Sequence, residues 1–113
     1  MSRLSRGRAK LESLGSGRFR VSGVLDATTV GEVLKQSEER FASVPHLEVD
    51  LGNVSETDSA GLALLIEWVR RARESKRDIQ FANVPGQISA LARISEVEDL
   101  LFANNSVPAA AVA

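Results

Sequence analysis

The segment Val54-Ser55-Glu56-Thr57-Asp58-Ser59-Ala60-Gly61-Leu62-Ala63-Leu64-Leu65 decides how this chain is read. A polar run meets Asp-Ser and then a strongly apolar stretch, which marks a helix start. Asp58 is a good N-cap, because its carboxylate can accept from the orphan N–H groups of the first turn. Ser59 then sits where the positive partial charge of a helix gathers, and a phosphate added there would be favoured. Gly61 is costly in a first turn. It fits a backbone that something must approach closely, either a partner or a tight loop of the same chain. The helix is predicted over 59–75. Leu62, Leu65, Ile66 and Val69 share one stripe and should bury against a sheet. Leu64 and Trp68 lie four apart, roughly 90–140° around the helix from that stripe. With Gly61 they form a second apolar strip. Two readings of it are open: packing against a neighbouring helix, or a partner-docking surface anchored by the tryptophan. Arg70, Arg71 and Arg73 read as cations favoured near a helix C-terminus.

Working outward, 47–51 is the clearest strand, with Leu47, Val49 and Leu51 alternating with Glu48 and Asp50. A loop through Asn53 and Thr57 is expected between it and the helix. Upstream, 11–14 and 18–24 read as strands around a Gly15-Ser16-Gly17 hairpin turn, where glycine supplies positive φ. A helix to about residue 42 follows, started by Asp26 or Thr28 with Thr29 and Glu32 as a capping box. Its apolar stripe is Val30, Val33, Leu34, Ser37 and Phe41, and Pro45 ends it. Downstream come a strand over 79–84, a short helix opened by Pro85, and a last apolar segment at Val97, Leu100 and Leu101. Crossover helices make the later strands parallel, with right-handed connections. Strands buried on both faces are apolar throughout, whereas these alternate. The fold class is therefore α/β: a single domain with one-sided β/α winding, a mostly parallel sheet, and helices mainly on one face.

The chain has 113 residues, enough for one domain. Residues 1–7 read as a flexible basic arm, 8–103 as the domain and 104–113 as a flexible tail. A formal net charge of -1 gives no global field to recruit nucleic acid. Aromatic residues are few and fall on core stripes rather than beside basic clusters. The absence of cysteine excludes disulfides, thiolate metal sites and a cysteine nucleophile. No run approaches the ~18 apolar residues of a membrane span, and no secretory signal is seen. The single histidine, His46, reads as an exposed loop residue rather than a general base or metal ligand. Gly15-Ser16-Gly17 lacks the further glycine of a dinucleotide fingerprint, since Arg20 stands there. A serine hydrolase built on Ser59 would lack its base. No catalytic residue, metal or cofactor is expected.

The Asp58-Ser59-Ala60-Gly61-Leu62 motif, following Leu47-Glu48-Val49-Asp50-Leu51, resembles the STAS domain family. The resemblance covers about residues 8–103 and implies a SpoIIAA-like fold. Gly61-Leu62-Ala63-Leu64-Leu65 with Trp68, and Leu91-Ala92-Arg93-Ile94-Ser95-Glu96-Val97 before Leu100-Leu101, look most like the STAS subunit of the Mla phospholipid ABC transporter. That branch implies a non-catalytic subunit that binds the cytoplasmic ATPase. The complex would also hold a permease and a lipid-binding, MCE-type protein, and would maintain outer-membrane lipid asymmetry. The expected location is cytoplasmic, with membrane contact only through the complex at the inner membrane. Asp58, Ser59, Gly61, Leu64 and Trp68 are then the expected partner-binding residues. The alternative is an anti-sigma factor antagonist, in which Ser59 would be phosphorylated by a kinase that is also the partner. Ala60 stands where a second serine is common in that branch.

Overall fold

The structure, a computed structural model, describes residues 8–102. The expected basic arm and the tail lie outside the described residues. The elements run β1 (Lys10–Gly15), β2 (Arg18–Leu25), α1 (Val30–Phe41), β3 (His46–Thr57), α2 (Ser59–Glu74), β4 (Asp78–Ala82), α3 (Gly86–Ile94) and α4 (Glu98–Phe102). The sheet order is β1-β2-β3-β4. β1 pairs with β2 antiparallel through the tight turn, and Gly15, Ser16 and Gly17 all hold positive φ there. β2–β3 and β3–β4 are parallel, as the crossovers through α1 and α2 require.

The alternation within the strands sets the layers. Leu11, Phe19, Val21, Leu25, Leu47, Val49, Leu51, Ile79 and Phe81 are buried and form the sheet's contribution to the core. The intervening positions carry Lys10, Glu12, Arg18, Arg20, Glu48 and Asp50 and remain at least partly open to solvent. That polar face neutralises itself through Lys10–Glu12 at 3.6 Å and Arg18–Glu48 at 3.9 Å. Burial acts to raise Asp50, but hydrogen bonds from Asn83 and Gly52, with Arg20 and Arg18 nearby, hold it below its ordinary value. Exposed pairs of this kind each contribute about 0–1 kcal/mol, so the fold rests on the other face.

Several local expectations change. β3 does not stop at Leu51 but continues to Thr57. Its polar second half stays paired to β2, with Ser22 opposite Asn53 and Leu25 opposite Thr57, and register shifts absorb the irregular stretch. The loop expected through Asn53 is therefore strand. His46 likewise opens β3 rather than sitting in a loop, although it is exposed, and its Nδ1 lies 2.7 Å from Asp78 Oδ2. The capping box of α1 is not formed. Thr29 Oγ1 instead accepts from Asp26 N at 3.0 Å and donates to the Val24 carbonyl at 2.8 Å. Glu32 pairs along the helix with Gln36. Pro45 lies beyond the end of α1 and accepts from Asp78 N through its carbonyl. The last apolar segment is the short helix α4.

α2 lies at the centre of the helical layer. It touches α1, α3, α4 and β4. This placement decides which of its faces can remain exposed.

Candidate functional site

At the start of α2 the backbone of Asp58 is extended, and its Oδ1 accepts from Ala60 N at 2.8 Å. Its carbonyl accepts from Gly61 N at 2.9 Å, which begins the helical ladder. Asp58 is thus the N-cap that the sequence leads one to expect. Ser59 follows at the first helical position and is exposed. Its hydroxyl makes no hydrogen bond among the described residues, so it is a free donor and acceptor at the positive end of a 16-residue helix. Glu56 and Ser55 are exposed on the strand leading into it.

Gly61 is buried, and its neighbour is internal. A Cβ placed there would collide with Thr57 Oγ1 and come within 3.5 Å of Ile88 Cδ1. Thr57 is itself buried at the last position of β3. The close approach anticipated at Gly61 is therefore made by this chain's own strand end, and Gly61 presents no surface to a partner.

Leu64 and Trp68 require a second correction. They are 3% and 2% exposed and belong to the core, so they form no docking strip. The reason is geometric: the face of α2 that bears Trp68 meets α1. Trp68 Nε1 donates to Ser37 Oγ at 2.8 Å, and Ser37 in turn donates to the Leu34 carbonyl at 2.7 Å. The indole ring lies 5.4 Å from Phe41 and 6.5 Å, stacked, from Phe81. The polar end of the indole is thus satisfied inside the core, as buried tryptophan requires. No buried side-chain polar atom among the described residues lacks a partner.

The basic end of α2 is not simply a complement to the helix dipole. Glu67 accepts from Arg70 and Arg71, both at 2.7 Å. Arg70 also reaches Glu74 at 2.7 Å, and Arg71 reaches Glu38 of α1 at 3.0 Å. The hydrogen bonds from Arg70, then Arg71, pull Glu67 down from 4.5 to about 2.

The predicted set therefore divides. Asp58 and Ser59 are exposed together at one edge, whereas Gly61, Leu64 and Trp68 lie beneath it or further along the core. Sequence reasoning missed Thr57 and Ser37 as the groups that hold Gly61 and Trp68. Ser37 carried a signal, being a serine on an otherwise apolar stripe. His46 stands at the opposite end of β3 from Ser59. No group of metal-ligating side chains occurs among the described residues. No described helix is long and apolar enough to cross a membrane. The edge offers one hydroxyl beside one carboxylate on a helix N-terminus, a geometry suited to docking or to carrying a phosphate.

A family model described as "Mlab, STAS domain" matches residues 11–102. The chain belongs to the STAS domain family and is of the MlaB type. A search of curated protein sequences finds no match. Among solved structures, the anti-sigma factor antagonist SpoIIAA in its unphosphorylated form is similar with TM-score 0.66 and 14% identity. That likeness covers 88% of this chain and 86% of the other. The Bacillus cell fate determinant SpoIIAA in its phosphorylated form gives TM-score 0.64 at 14% identity, over 88% and 89% of the two chains. The murine Slc26a9 anion transporter gives TM-score 0.64 at 16% identity, over 85% of this chain but 17% of that one. At these identities the likenesses establish the SpoIIAA-like fold.

Proposed function

We propose that this chain is a non-catalytic STAS subunit that binds and supports the cytoplasmic ATPase of a phospholipid-transporting ABC complex of the Mla type. The complex would include a permease and an MCE-type lipid-binding protein and would maintain outer-membrane lipid asymmetry. The chain would be cytoplasmic and peripheral to the inner membrane through that complex. The observation that carries the reading is the exposed Asp58–Ser59 edge at the start of α2, in a chain matched over residues 11–102 by the MlaB-type family model. The Ser59 hydroxyl has no hydrogen-bond partner among the described residues, so a docked surface can take it up without breaking a bond among them. Affinity capture of the tagged chain from detergent-solubilised cells, read by mass spectrometry, tests the reading. Co-recovery of an ABC ATPase with a permease is expected.

A second reading is favoured by the same hydroxyl. Ser59 is exposed, follows an N-cap, and sits where phosphate would be stabilised, and the fold is that of an anti-sigma factor antagonist. Phosphate there would add about -1.5 to -2 charge and break a docked interface. Recovery of a serine kinase in place of the ATPase would select this reading and overturn the first.

A further inference from the structure

The C-terminal halves of α1 and α2 flank a half-open groove of ≈ 380 Å³. Phe41, Leu47 and Trp68, each nearly covered, underlie it, and exposed Ser75 and half-buried Arg77 line it together with Glu38 and Glu74. Its size falls within the roughly 300–1,000 Å³ of small-molecule sites. Three arginines line it, and two are already engaged: Arg70 by Glu67 and Glu74, Arg71 by Glu67 and Glu38. Arg77 differs from both.

Arg77 is half-buried, and its Nη1 donates to the Phe41 carbonyl at 2.7 Å. Its Nε and Nη2 have no partner among the described residues. It has no carboxylate at ion-pair distance among those residues either. Its neighbour Asp78 is paired with His46, and Glu38 and Glu74 are held by the other two arginines. Nη1 thus sits on the carbonyl that ends α1, where a cation is favoured, and the unpaired edge of the planar fork matches a carboxylate or phosphate.

We propose that this groove binds a small organic anion. Its carboxylate or phosphate monoester would sit on the free edge of Arg77, with the Ser75 hydroxyl as a second donor. Its apolar body would rest on Phe41, Leu47 and Trp68. The site lies at the far end of α2 from Ser59, about 24 Å along the helix at ~1.5 Å per residue, so it stands or falls independently of the docking edge.

Trp68 is the only tryptophan of the chain, so its emission reports occupancy of the groove. The full chain is titrated with hexanoate, with neutral hexan-1-ol and with inorganic phosphate. Hexanoate is expected to change the emission saturably and to bind at least tenfold more tightly than either control. Arg77→Gln is expected to weaken hexanoate at least tenfold. The absence of a saturable change, or a variant that binds normally, overturns the proposal. Equal binding of hexan-1-ol reduces the site to an apolar groove, and equal binding of phosphate to a bare anion site; either overturns the amphiphilic ligand. Arg77→Gln also removes the bond to the Phe41 carbonyl and can disturb folding. Amide chemical-shift mapping on the unaltered protein therefore accompanies it. Hexanoate shifts centred on Phe41, Leu47, Ser75 and Arg77 support the site, and shifts centred elsewhere overturn it.

Discussion

Replacing Trp68 with alanine separates the two roles that this residue could have had. The side chain is 2% exposed, hydrogen-bonded to Ser37, and in contact with the rings of Phe41 and Phe81. Removing a fully packed tryptophan costs about 3–5 kcal/mol, counting lost transfer energy and the cavity left behind. A domain of this size loses about 4–8 °C in melting temperature per kcal/mol, so a 4 kcal/mol loss lowers it by about 16–32 °C. That is a large share of the ~5–15 kcal/mol that holds such a domain together. Trp68→Phe keeps most of the volume but loses the N–H to Ser37, worth ~1 kcal/mol, and leaves a smaller void. It should cost about 1–3 kcal/mol in total. Urea unfolding followed by far-ultraviolet circular dichroism measures both variants without needing the indole signal. If Trp68→Ala lost less than about 1 kcal/mol while partner binding disappeared, the residue would be a docking anchor and its placement in the core would be refuted.

Three further outcomes are expected. Ser59→Asp should leave the fold intact, because a carboxylate is welcome in a first helical turn, yet weaken binding of the captured partner at least tenfold; calorimetric titration with an unchanged affinity would remove this edge from the interface. Gly61→Ala gains ~1 kcal/mol of helix propensity but meets Thr57 Oγ1, and overpacking costs about 1–3 kcal/mol, so a net loss is expected that shrinks in a Thr57→Ala background. Thermal unfolding of the four-member cycle measures that coupling. Glu67 falls from 4.5 to about 2 on folding through its bonds to Arg70 and Arg71, so its stabilisation is in place above 4.5 and is lost as pH falls toward 2. Glu67→Gln should flatten the decline of urea midpoints across that acid window, and an unchanged decline would show that the Arg70–Glu67–Arg71 cluster does not form in solution.

Much of the architecture was legible because binary pattern and period agree. Leu47, Val49 and Leu51 against Glu48 and Asp50 announced a strand with one open face, and the open face is there. The helix start at Asp58 could be read from cap chemistry alone. The second half of β3 could not. Gly52 and Asn53 look like a chain break, and only the partner strand β2, with its own irregularities at Ser22 and Val24, keeps them in the sheet. Whether Leu64 and Trp68 faced outward was equally undecidable from α2 by itself. A helix flanked on one side and a helix flanked on both can carry the same apolar positions. The neighbour that settles the matter, Ser37 on α1, lies far away in sequence. Gly61 invited an external explanation because the residue that crowds it, Thr57, read as loop rather than as the end of a strand.

The contact between Thr57 and Gly61 has a mechanical consequence. The last residue of β3 is butted against the first turn of α2 with only Asp58 between the two elements. Ser59 therefore rides on a joint without slack, braced by the longest strand and the longest helix of the described chain. A protein that grips it need not first freeze a wandering loop, and the ordering cost of association at that point is small. By the same joint, whatever grips Ser59 bears at once on the end of β3 and on the first turn of α2.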